Sequence, residues 1–146
     1  MDNYALFQDY LQLDHQIDEF YHTLAQRVGL SDSALWVLWS LMELGEGCTQ
    51  TDICRQFALT KQTVHSSVRK LAKDGFLSLR PGPGREVRVY PTEMGRALIQ
   101  EKIVPLKNAE EAASRRMGAD ELDAMLRLTR KWLSLFQEEA ASIPKK

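Results

Sequence analysis

Within one stretch of this chain the spacing of apolar residues changes from helical to strand-like, with Gly75 at the change. Before it, in "LTKQTVHSSVRKLAKDG" (59–75), Val64, Val68 and Leu71 recur at i, i+4 and i+7, the spacing of one narrow helix edge. Thr60 is placed to cap this helix and Gly75 to stop it in the left-handed conformation. After it, "FLSLR" and "REVRVY" alternate like strands, and the "PGPG" between them (81–84) can only be a loop. A capped helix running directly into a two-stranded hairpin leaves few architectures open.

The segment ahead of it narrows the choice. "TQTDICRQF" begins at Thr49 with Asp52 in the capping-box position, and Ile53 and Phe57 face inward at i and i+4. A tight "ALT" then joins two short helices. Upstream, "LSDSALWVLWSLMEL" has Ser31 or Asp32 as a cap and an almost wholly apolar body, so it should be buried, and "GEG" (45–47) breaks it. From Asn3 to about Arg27, Tyr4, Phe7, Tyr10, Leu11, Ile17, Phe20, Tyr21 and Leu24 mark a long amphipathic helix that Gly29 ends. Downstream, Thr92 caps "EMGRALIQEKIVPLKNAEEAASRRM", where Pro105 predicts a kink or a break. Gly118 interrupts the chain, and Asp120 starts a last helix striped by Leu122, Met125, Leu126, Thr129, Trp132, Leu133 and Phe136.

Charge is distributed unevenly over these elements. The 146 residues carry a net charge of −1, yet residues 55–96 hold nine Lys/Arg (55, 61, 69, 70, 73, 80, 85, 88 and 96) against three acids (74, 86 and 93). A basic segment between acidic flanks is the electrostatic footprint of a local nucleic-acid surface.

Short helix, tight turn, helix and basic hairpin together read as a winged helix-turn-helix. The fold expected is therefore mainly α with a small β-hairpin wing and added helices at both ends. In this arrangement the first short helix crosses a DNA backbone and the capped start of 61–74, at Thr60, presents side chains to the major groove. Gln62 can pair bidentately with adenine and Arg69 with guanine. Thr63, His65, Ser66 and Ser67 are short donors or acceptors suited to bases or phosphates, and Lys61, Lys70 and Lys73 suit phosphates. Arg80, Arg85 and Arg88 lie near the hairpin tip, which would set Arg85 at the adjacent minor groove.

The motifs "TQTDICRQFALTKQTVHSSVRKLAKDGFLSLR" and "GREVRVYPTEMGRAL" make residues 30–99 resemble the DNA-binding core of the MarR family of bacterial transcription regulators. The match falls on Gly75, Arg80, Arg85, Thr92 and Gly95. It departs at Pro83, where the family usually has an Asp that helps hold the wing arginine, and at Pro91, where it usually has Leu. Arg85 is then either held differently or more mobile. The resemblance implies a sequence-specific regulator, a repressor in the expected mode, released by an aromatic or phenolic effector bound between the DNA-binding lobe and the dimer helices. Phe20, Tyr21, Trp36 and Trp39 could line that pocket, and core packing accounts for the same four residues without a ligand.

The apolar stripes of the end helices exceed what a small winged-helix core needs. Trp132, Leu133 and Phe136 with Phe7, Tyr10 and Leu11 could bury each other across a two-fold axis, giving a homodimer that reads a pseudo-palindrome with half-sites ~34–36 Å apart. The alternative is a helical layer within one chain. Domains are expected at 1–29 (N-terminal dimerisation helix), 30–99 (DNA-binding domain) and 100–146 (C-terminal dimerisation helices).

Other classes fare worse. No phosphate-cradling glycine loop, zinc spacing or serine elbow is present, so an enzyme is not expected, nor a cofactor. His15 and His22 beside Asp14, Asp18 and Glu19 read as exposed helix residues rather than metal ligands, since no third His or Cys stands at ligand spacing. Cys48 and Cys54 read as buried or incidental thiols rather than a redox sensor. The longest apolar run, "ALWVLW" (34–39), is too short for a membrane, and no secretory signal is seen, so a cytoplasmic location is expected. The main rival is a winged helix used only for protein contacts, which would not need the cationic stripe.

Overall fold

The computed structural model describes residues 2–146 and gives two compact units, one running to Leu106 and the other covering Lys107–Lys146. In the first, helix α1 (Asn3–Arg27) precedes α2 (Asp32–Leu44), strand β1 (Cys48–Thr49), α3 (Gln50–Gln56) and α4 (Lys61–Lys73). Strands β2 (Leu77–Pro81) and β3 (Val87–Pro91) follow, then α5 (Glu93–Leu98), a π-helical turn (Ile99–Ile103) and the start of α6 (Val104–Met117). The second unit holds the rest of α6 and α7 (Ala119–Ala140).

The core forms around α2, whose apolar body is buried as its sequence requires. Val37, Leu38 and Leu35 from α2 meet Ile53 of α3, Val64 and Val68 of α4, Leu77, Val89 and Ile103, all at 5% exposure or less. Burying such side chains contributes roughly 1.5–3 kcal/mol each relative to leaving them in water. The one buried polar side chain of α2, Ser40, donates to the Trp36 carbonyl at 2.8 Å and so leaves no orphaned hydroxyl.

Helix starts follow the expected caps. Ser31, rather than Asp32, caps α2, and Thr49 with Asp52 forms a complete capping box on α3. Thr60 caps α4 and Thr92 caps α5. Gly75, at φ +90°, ends the α4 segment as anticipated.

Two elements differ from the sequence reading. The expected two-stranded hairpin is a three-stranded antiparallel sheet in the order β1-β3-β2, because Cys48 pairs with Val89 and Thr49 with Arg88. The Gly47 N–H donates to the Val89 carbonyl at 2.8 Å and extends that pairing. Of the kink or break expected at Pro105, the break does not occur, since the π turn runs directly into α6. The turn before it widens to π geometry, with the Val104 N–H bonding to the Ile99 carbonyl, five residues back. A wider turn relieves the crowding a proline ring imposes on the carbonyl four residues earlier.

Apolar faces remain uncovered on both end helices. Leu6, Tyr10, Leu13, Ile17 and Phe20 on α1 are exposed, spaced four and three apart along one strip. On α7, Met125, Leu126, Leu133 and Phe136 are exposed, and the Trp132 and Phe136 rings stack at 5.7 Å. No helix among the described residues is long and apolar enough to cross a membrane.

Candidate nucleic-acid interface

Helix α4 presents its two faces as its spacing requires. Val64, Val68 and Leu71 are buried, while Lys61, Gln62, Thr63, His65, Ser66, Arg69, Lys70 and Lys73 are exposed. Ser67 is the exception among the candidate residues. It is 7% exposed, because it stands three residues after Val64 and four before Leu71, on the packed edge. At the start of the helix the Thr60 hydroxyl accepts the Thr63 N–H at 3.1 Å and donates to the Thr63 hydroxyl at 2.8 Å. Both threonines therefore hold the helix start, which leaves Lys61 and Gln62 as the first free side chains.

The turn that aims α4 contains a feature the sequence did not signal. Ala58 has φ +51°, a left-handed conformation normally left to Gly or Asn, and Leu59 N–H closes the turn on the Cys54 carbonyl at 3.0 Å. That bend sets α3 against α4, and Ile53 and Val64 are both fully buried in the core the two helices share.

The wing separates its three arginines. Arg80 and Arg88 face each other across β2 and β3. The Arg80 guanidinium lies 4.4 Å from the Tyr90 ring centroid, which holds it by a cation–π contact. Arg88 donates to the Gly47 carbonyl at 3.2 Å and to Glu86 at 3.3 Å, so it ties the wing to the turn before β1. Arg85 sits in the loop at the tip, which closes through the Gly82 N–H on the Glu86 carbonyl at 2.9 Å. Pro83 offers no carboxylate, and among the described residues no side chain or carbonyl engages the Arg85 guanidinium.

Between α3, the start of α4 and the wing lies an open cleft of about 620 Å³. Arg55, Lys61, His65, Arg85 and Arg88 line it, with Asp52 and Glu86 as its only acids. Both carboxylates already have partners. Asp52 accepts the Thr49 backbone N–H at 3.0 Å, which holds its carboxyl below the usual range, and Glu86 pairs with Arg88. Sequence reasoning did not place Arg55 among the candidate DNA contacts. It also passed over Gln50, whose amide oxygen lies 3.4 Å from His65 Nδ1. Their signal was position: both lie on the short helix that the turn folds against α4.

Away from this surface, three of the four aromatic candidates fill space against one another. The Tyr21 ring lies 5.0 Å from Trp36 and 6.4 Å from Trp39, and Trp36 lies 4.6 Å from Phe57. Phe20 is exposed instead. A smaller cavity of about 390 Å³ opens between the α1–α2 turn and the back of α4, bordered by Leu30, Ser33, Ser66, Lys70 and Phe76. The His22 ring bonds Asp32 at 2.7 Å, joining α1 to the start of α2. Burial pushes the Cys48 thiol up to about 11, so it stays protonated and unreactive at neutral pH.

Comparison with known proteins accords with this geometry. Residues 28–86 match the model of the MarR family. No curated protein matches the chain by sequence. Among solved structures, the chain is similar to NMB1585, a MarR family regulator from Neisseria meningitidis, at TM-score 0.71 and 25% identity, over 99% of this chain and 100% of that one. Bordetella bronchiseptica BpsR, solved in a study of how 6-hydroxynicotinic acid regulates its DNA binding, aligns at TM-score 0.63 and 26% identity, over 85% and 98%. Staphylococcus aureus MepR in complex with DNA aligns at TM-score 0.68 and 19% identity, over 94% and 99%. The matched segment carries the helix-turn-helix, strand β2 and the wing tip, and the fold is shared with these MarR structures along nearly the whole chain.

Proposed function

We propose that the protein is a sequence-specific DNA-binding transcriptional regulator, a repressor, that binds a pseudo-palindromic operator as a homodimer and is released by a small aromatic effector. The observation that carries this reading is the continuous exposed polar and cationic face of α4, set across a net-positive cleft from Arg85 at the wing tip. A helix so presented suits the major groove, and a free guanidinium at the tip suits a narrow minor groove. Lys61, Gln62, Thr63, His65, Ser66, Arg69, Lys70, Lys73, Arg80 and Arg85 are the proposed contacts, with Gln62 and Arg69 reading bases and the lysines holding phosphates. The MepR–DNA complex and the BpsR study support DNA and ligand as partners of the fold.

The uncovered strips on α1 and α7 support the dimer, since apolar faces of that extent call for a partner. An effector would act by favouring a dimer whose recognition helices are wrongly spaced. The Tyr21–Trp36–Trp39 cluster is where we would look for it.

Replacing Arg69 and Arg85 together with alanine tests the reading. A DNA binder loses tenfold or more in affinity, about 1–3 kcal/mol for each well-made contact, and keeps its oligomeric state. If the pair of substitutions leaves DNA affinity intact, the recognition face has been misassigned.

A further inference from the structure

His65 stands in the middle of the exposed face of α4, and Gln50 of α3 reaches its ring: Gln50 Oε1 lies 3.4 Å from His65 Nδ1. A carbonyl oxygen can only accept a hydrogen bond, so Nδ1 carries the proton in the neutral ring and Nε2 carries the lone pair. We infer that Gln50 holds His65 as a protonation-dependent DNA contact, in which Nε2 changes from acceptor to charged donor as the pH falls while the ring keeps its position. This rests on the DNA-binding reading and assigns one residue of that surface a second state.

The surroundings favour such a change on binding. From α3, Asp52 and Arg55 line the same cleft; from α4, Lys61; from the wing, Arg85, Glu86 and Arg88. Asp52 is engaged by Thr49 and Glu86 by Arg88, so neither carboxylate is left for an imidazolium. Arg55, Lys61, Arg85 and Arg88 line the cleft around it instead. A DNA phosphate entering the cleft reverses that balance. The ring then takes one proton from solvent and donates from Nε2 to a phosphate oxygen or to guanine O6 or N7, whereas at high pH the same nitrogen accepts from cytosine N4 or adenine N6.

The test compares binding to a duplex selected by this protein from a randomised pool, at pH 8.0 and 6.0, over a salt series. Wild-type protein should bind about threefold to tenfold more tightly at pH 6.0. Its log–log salt dependence should steepen by about 0.9, one more phosphate neutralised. His65→Gln should lose both differences, whatever its absolute affinity. Equal pH responses in wild type and His65→Gln would overturn the assignment. In the free protein, the imidazole ¹⁵N shifts of His65 should report the Nδ1–H tautomer, with mixed tautomers in Gln50→Ala; an Nε2–H tautomer in the wild type would overturn the role of Gln50. If no sequence is enriched over the starting pool, the regulator reading fails, and the His65 tautomer and its pH response on any duplex are still scored separately.

Discussion

Replacing Gly95 with alanine should destabilise the protein, although ordinary helix propensity argues the opposite. Gly95 lies within α5, where alanine is favoured over glycine by about 1 kcal/mol. Its φ is helical, so backbone conformation does not demand glycine. Space does. A Cβ at this position would run into the Phe76 carbonyl oxygen and lie 3.2 Å from the Pro91 Cβ. That carbonyl also accepts the Thr92 N–H at 3.0 Å, and the Thr92 hydroxyl bonds the Gly75 carbonyl at 2.6 Å while accepting the Gly95 N–H at 3.1 Å. The start of α5 is thus fastened to the end of α4 through one threonine, and the extra carbon must pry them apart. Overpacking costs about 1–3 kcal/mol and each lost hydrogen bond about 1 kcal/mol. Less the gain in propensity, the net loss is about 2–3 kcal/mol, or a fall in Tm of roughly 5–10 °C for a chain of this size. Urea denaturation followed by circular dichroism, with a thermal melt alongside, measures it. A variant as stable as wild type, or more so, would refute the reasoning.

Three further outcomes follow from local geometry. Ala58→Gly should raise stability slightly, by up to about 1 kcal/mol, because it relieves a side chain held at φ +51° while loosening the unfolded chain; urea midpoints would show it, and a lower midpoint would contradict it. Asp52 titrates below its unfolded value of about 3.9, so its contribution is present above that pH and is lost as pH falls through the depressed folded value. Asp52→Asn should therefore lose about 1 kcal/mol at pH 7 and show a shallower loss below pH 4, read from urea titrations at several pH values. In native protein at pH 7.5 a thiol reagent should modify the half-buried Cys54 before Cys48, whose thiol is buried and shifted to about 11. Equal rates for the two cysteines would show that the β1 edge opens readily.

Much of this architecture was legible because its signals are local. The caps at Ser31, Thr49, Thr60 and Thr92, the stops at Gly29 and Gly75, and the alternation of "FLSLR" and "REVRVY" each act within a few residues. The third strand was not legible, since two residues carry no period and β1 exists only through its pairing with β3. Pro105 signals strain without saying whether the chain breaks or widens a turn. Of the candidate contacts, Ser67 was readable as packed from its spacing to Val64 and Leu71, but its hydroxyl drew it into the polar set. The anchoring of Arg88 to the Gly47 carbonyl and the bond from Gln50 to His65 join residues 41 and 15 apart, contacts that no local pattern encodes.

The central claim is sequence-selective DNA binding through α4 and the wing, and fluorescence anisotropy tests it most directly. Purified protein would be titrated onto labelled DNA from upstream of its own gene, onto sequences it selects from a randomised pool, and onto scrambled duplex, each across a salt series. The account predicts binding to a selected sequence at least a thousandfold tighter than to scrambled duplex, weakening steeply with salt as phosphates are released. Equal, weak binding to every duplex, or none at low salt, would contradict it and make a protein-contact role for the winged helix the better account.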